Sequence, residues 1–144
     1  MSLTLVMSIA APWGIWQCAD HRLTHIDGGS VRTYEDTSVK SVALKCPDGI
    51  ALISYTGVGA IGSANLHVSD WLRKLLRGET RSVDESLIYV REAATAILGK
   101  PAARLGIPHH FLVGAFLAGQ PWVAAIANVP PSGGAPEPTF QTQA

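Results

Sequence analysis

Residues 1–24 read MSLTLVMSIAAPWGIWQCADHRLT, and the rest of the chain is organised around them. Two apolar runs, Leu3 to Ala10 and Gly14 to Ala19, flank Ala11, Pro12 and Trp13. That pattern predicts a strand, a tight turn and a second strand. Asp20, His21, Arg22 and Thr24 follow at once, and Ser2 and Thr4 stand at the other end. An antiparallel hairpin returns the end of its second strand to the start of its first, so Asp20 and Arg22 are expected near Thr4. A hydroxyl, a carboxylate and a guanidinium near a free amine form a candidate nucleophilic site.

The elements beyond this hairpin fall into pairs. Thr24 to Ser38 is polar and turn-rich around Asp27-Gly28-Gly29-Ser30, and reads as a loop with a short irregular strand at Val31 to Tyr34. Val39, Val42 and Leu44 mark a strand, Cys46-Pro47-Asp48-Gly49 a turn, and Ile50 to Thr56 a returning strand. Leu66, Val68, Trp71, Leu72, Leu75 and Leu76 then recur at helical spacing, which predicts a helix over 60–77 ended by Gly78. Ser82 and Glu85 make a capping box for a second helix, with Gly99 and Pro101 as its expected stop. His109 to Leu117 and Trp122 to Asn128 read as a last strand pair. The final stretch, VPPSGGAPEPTFQTQA, carries four prolines and predicts no stable element, so residues 129–144 are expected to be a disordered tail behind one domain over 1–128. Hairpins plus a contiguous helix pair predict an α+β fold with antiparallel sheet.

Eleven acidic residues balance eleven basic ones, which argues against nucleic-acid or acidic-membrane partners. No run approaches a membrane span, no basic residue precedes Arg22 as a signal peptide needs, and Cys18 and Cys46 lack metal spacing. The plain reading is a cytoplasmic protein with two buried thiols. His109-His110 has no third ligand at suitable spacing, so no metal or other cofactor is expected. His21, His25 and His67 read as surface or loop residues, and Trp13, Trp16, Trp71 and Trp122 as core or interface anchors.

The order of these elements, with the residues at their corners, resembles the N-terminal nucleophile hydrolases, specifically the proteasome β-subunit and its bacterial relatives. The residues that carry the resemblance are Thr4, the run ending A-D-H-R-L-T, Lys40 in S-V-K-S-V and Gly57 in Y-T-G-V-G. It covers about Leu3 to Asn128 and implies the αββα sandwich of that family, truncated here in its second half. It also implies amide-bond hydrolysis. Thr4 would be the nucleophile and its own α-amine the base. Lys40 would lower the effective pKa of that hydroxyl, and Asp20 would orient Lys40. The Gly57 N–H would serve the oxyanion from the mouth of the first helix. Thr24 would pair with the backbone of a peptide or amide substrate, and Leu23 and Tyr55 would line its pocket. For Thr4 to carry a free amine, Met1 to Leu3 must be removed; loss of Met1 alone would expose Ser2 instead. A half-sandwich also exposes apolar surface, so a homo-oligomer is expected. The resemblance equally admits a non-catalytic scaffold subunit.

Plainer readings stand beside these. Asp20 and Arg22 could form a simple salt bridge, and Thr4 is a good strand former. Lys40 interrupts an apolar run, and a buried lysine needs a partner. Gly57, Gly59 and Gly62 match the spacing of a dinucleotide fingerprint, but a second helix follows where a parallel strand should, so the match reads as coincidence.

Overall fold

A computed structural model of the chain describes residues 5–20, 24–33, 39–78 and 80–144. The opening hairpin is there: β1 (Val6–Ala11) pairs antiparallel with β2 (Gly14–Ala19), Val6 opposite Ala19 and Ala11 opposite Gly14. Its two faces differ. Met7, Ile9, Trp16 and Cys18 point to solvent. Ser8 and Gln17 point the other way, and the Gln17 amide donates to the carbonyls of Leu52 and Leu112 at 2.7 and 3.0 Å. Those carbonyls belong to a second sheet, so one side chain staples the hairpin onto it.

That sheet has the order β11 (Gln141–Gln143), β10 (Gln120–Ala127), β9 (His110–Leu117), β6 (Gly49–Thr56) and β5 (Ser41–Cys46), and every neighbouring pair is antiparallel. Side chains on β9 alternate between two environments. Phe111, Val113 and Ala115 are fully buried in one core with Leu72, Leu87, Val90 and Leu98 of the helices. Gly114, between them, faces Ser8 and Ile15 of the hairpin. The layers are therefore helices, five-stranded sheet, hairpin. A further sheet has the order β4 (Ser30–Thr33), β3 (Thr24–Asp27), β7 (Val58–Ile61) and β8 (Leu66–His67), in which β3 and β7 run parallel. The fold is mixed α+β.

Several local expectations are corrected. The first helix, α1, spans only Val68–Leu75. Its apolar stripe is real, since Val68, Leu72 and Leu76 are buried, but Val58–Ile61 pairs with β3 and β8 and so belongs to a sheet. Residues 24–33, expected as a loop, form the β3–β4 hairpin around Gly28 and Gly29. The second helix, α2 (Val83–Ala94), starts at the capping box as read. It does not stop at Gly99 and Pro101: a π-helical turn over Thr95–Gly99 leads into α3 (Lys100–Arg104). The widened turn accommodates the proline ring and its missing N–H, and a Cβ on Gly99 would strike the Pro138 carbonyl oxygen of the tail.

The tail itself is also corrected. Its prolines remove hydrogen-bond donors, yet Phe140 is 4% exposed in the core, its N–H donates to Thr95 Oγ1 at 3.0 Å, and β11 adds to the sheet edge. One buried aromatic ring, worth roughly 1.5–3 kcal/mol, anchors the segment. Cys18 is exposed and Cys46 is buried, and the two do not form a disulfide with each other. Trp13 is 80% exposed and Trp16 51%, while Trp71 and Trp122 pack against the core. Among the described residues no helix is long and apolar enough to cross a membrane.

Candidate functional site

Asp20 stands just past the end of β2, where its N–H donates to the Leu5 carbonyl at 3.1 Å. This antiparallel bond ties Asp20 to the first described residue of the chain. Lys40 immediately precedes β5, and its Nζ donates to Asp20 Oδ1 at 2.8 Å. The pair is lopsided: the lysine side chain is 2% exposed and the aspartate 33%. A buried ammonium without an anion is strongly disfavoured, so the carboxylate explains how Lys40 can sit within an otherwise apolar strand approach.

Gly57 lies between β6 and β7 with φ +108°. A side chain there would be strained by the backbone and would run into the Pro108 carbonyl oxygen and the Cα of His109. Only glycine fits. The expected helix mouth is not there, because α1 begins at Val68 and Gly57 leads into a strand. The helix dipole therefore does not act at Gly57, and any stabilisation of negative charge must come from the backbone N–H itself.

Other expected site residues fall in three places. Thr24 opens β3 and pairs in parallel register with Val58, the residue after Gly57. Tyr55 is 1% exposed; its hydroxyl shares a 2.7 Å hydrogen bond with Ser69 Oγ, which donates to the Val39 carbonyl at 2.8 Å. Burial, chiefly, raises the Tyr55 pKa above its ordinary value. Its ring is thus part of the core and not of an open pocket wall. Thr4, Ser2, Arg22 and Leu23 lie outside the described residues.

His109, expected to open a strand and without a third ligand for a metal, has a specific place in the structure. It is fully buried, and its Nδ1 accepts the Val58 N–H at 3.0 Å. Its own N–H donates to Asn128 Oδ1 at 2.7 Å, and Asn128 N–H returns to the His109 carbonyl at 3.2 Å. Burial first, then the positive charges of His110 and Lys40, push its pKa down to about 3. The ring is neutral, and with Nδ1 accepting, the proton sits on Nε2. That atom has no hydrogen-bond partner among the described residues, and Phe140 meets the imidazole edge-on at 5.7 Å. The signal available in the sequence was a histidine opening an otherwise apolar strand.

Two pairings result: Lys40 with Asp20 past the end of β2, and the start of β3 at Thr24 with Val58, next to Gly57. The arrangement offers a fixed cation, an anion that orients it, and a backbone turn that admits no side chain. Among the described residues no group of three metal-ligating side chains converges. A groove of about 550 Å³ along α1, lined by His67, Asp70, Trp71 and Lys74 among others, involves none of these residues. Comparison with protein-family models, curated proteins and solved structures finds no match to this chain.

Proposed function

We propose that this chain is an N-terminal nucleophile hydrolase of the proteasome β-subunit type, cleaving peptide or amide bonds with an N-terminal hydroxyl. The observation that carries the reading is the buried Lys40 held 2.8 Å from Asp20 at the base of the first hairpin. The stacking of helices, sheet and hairpin supports the αββα sandwich as the parent fold. In the reaction, the Thr4 hydroxyl attacks the substrate carbonyl carbon while its α-amine takes the proton. The Lys40 charge favours the alkoxide, and the Gly57 N–H faces the oxyanion. Collapse of the tetrahedral adduct breaks the C–N bond, the departing amine receives the proton, and water then cleaves the ester. Thr24 aligns the substrate backbone. Cys18 and Cys46, outside any disulfide, suit a reducing, cytoplasmic setting.

The test is the intact mass of the cellular protein, followed by incubation with a peptide β-lactone, which acylates N-terminal hydroxyl nucleophiles. A chain beginning at Thr4 that gains the mass of one lactone supports the reading, and Lys40→Met should remove the gain. A chain that retains Met1 to Leu3 and stays unlabelled sinks it. Loss of Met1 alone with labelling moves the nucleophile to Ser2.

The second reading, a non-catalytic scaffold subunit of a homo-oligomer, is favoured by the outer hairpin face. Leu5, Met7, Ile9, Trp13 and Trp16 are all more than half exposed there, with no charge between residues 5 and 19. An uncharged apolar face meets its own copy without like-charge repulsion. Sedimentation of the wild type against Ile9→Lys/Trp16→Lys decides it: a monomer in both removes the scaffold reading.

A further inference from the structure

We infer that His109, braced by Asn128, is the positioning residue that sets the Gly57 backbone. Its chemistry rests on the hydrolase reading above; its geometry does not.

A backbone N–H can stabilise an oxyanion only if it is held in place before charge develops. Glycine is the residue least able to hold itself, since both signs of φ are open to it. Gly57, at φ +108°, must therefore be restrained from outside. Consecutive residues of one strand approach do this. Thr56, on one side, is the ladder partner of His110. Val58, on the other, donates its N–H to His109 Nδ1 at 3.0 Å. Between them, the Pro108 carbonyl oxygen closes over the Gly57 Cα. Both peptide planes that flank Gly57 are thus tied to residues 108–110.

His109 is itself rigidly set. The two backbone bonds with Asn128 hold its main chain, and Asn128 Nδ2 donates to the Ile107 carbonyl at 3.2 Å. Tyr55 stacks on the imidazole with 5.8 Å between centroids and 10° between planes, and Phe111 lies 4.6 Å from it. An imidazolium would place a proton on Nδ1 and lose the Val58 bond, so the device works only while the ring is neutral. Among the described residues, the charged or titratable groups that act on it, His110, Lys40 and Tyr55, include no anion that would favour protonation. The hydrophobic clamp explains why a histidine and not an asparagine or glutamine is used: the ring fills the core as it accepts the bond.

Two substitutions separate the roles. His109→Phe keeps the ring and removes the acceptor; His109→Asn keeps an acceptor near the Nδ1 position and removes the ring. In His109→Phe, amide exchange at Val58 should accelerate at least tenfold and the Gly57 and Val58 amide resonances should move. Labelling by the peptide β-lactone should slow tenfold to a hundredfold in its maximal rate, with half-saturation unchanged. His109→Asn should restore Val58 protection at least in part. Unchanged Gly57 and Val58 resonances and exchange in His109→Phe overturn the inference. Should that variant not fold, nitrogen NMR of the wild type decides: a neutral Nε2–H tautomer with coupling between Val58 N and His109 Nδ1 is expected, and an Nδ1–H or protonated ring at pH 7 overturns it. A wild type that never reacts with the lactone overturns the hydrolase reading, while the amide data still decide the role of His109.

Discussion

Lys40 Nζ lies 2.8 Å from Asp20 Oδ1, with the lysine sealed in the interior and the aspartate one-third open to water. The asymmetry predicts unequal costs. Asp20→Asn removes the carboxylate that lies 2.8 Å from a buried ammonium and should cost about 3 kcal/mol. Lys40→Met leaves a carboxylate that water can reach and should cost about 1 kcal/mol. Urea denaturation of both variants measures the difference; equal costs would show that the burial of Lys40 is not what makes the pair matter.

The buried neutral His109 predicts a loss of stability in acid. Its folded pKa of about 3 lies below the ordinary 6.5, so between these values the unfolded chain binds the proton that the folded chain refuses. Stability is full above pH 6.5 and declines as pH falls towards 3, by about 2 kcal/mol at pH 5 from this group. His110, also lowered by burial, acts in the same direction. Thermal unfolding from pH 8 to 4 should show the slope, and His109→Phe should flatten it.

At Gly57 the backbone and the neighbouring carbonyl both exclude a side chain. Gly57→Ala should cost about 2–4 kcal/mol and abolish labelling by the β-lactone. Gly29 has an ordinary φ and open space around it, so Gly29→Ala should change stability by no more than about 0.5 kcal/mol. Similar Tm values for the two variants would remove the claim that the Gly57 turn is tight.

Phe140 predicts that the proline-rich tail contributes to the core. Phe140→Ala should cost about 3 kcal/mol, since it deletes a ring that is 4% exposed. A change below about 0.5 kcal/mol in urea denaturation would mean that the tail does not dock in solution.

What could be read from the chain followed its local signals. The Pro12-Trp13 turn, the Pro47-Asp48 turn and the Ser82 capping box each rest on residues adjacent in sequence, and all three hairpins or helix starts stand where those signals put them. The two strands His110–Leu117 and Gln120–Ala127 were equally legible from a turn between apolar runs. The failures share a cause. Val58–Ile61 carries no strand signal of its own and becomes one only because β3 and β8 lie beside it. Gly99 and Pro101 would end an isolated helix, but a π-helical turn and the tail packed over Gly99 carry the chain through. At the site, the need of Lys40 for a partner was legible and the resemblance implied Asp20; the structure sets the two 2.8 Å apart and adds that the lysine is the buried member.

By itself, the sequence determined the α+β class, the opening hairpin and the presence of a lysine that had to find a carboxylate. Periodicity, turn chemistry and the cost of burying charge are properties of short stretches, and they act before any long-range contact forms. Only the tertiary structure decided that Gly57 enters a strand and not a helix, that Phe140 fills the core, and that His109 accepts the Val58 N–H. Each of those depends on segments far apart in the chain meeting at one place, where packing and hydrogen-bond satisfaction outweigh local preference.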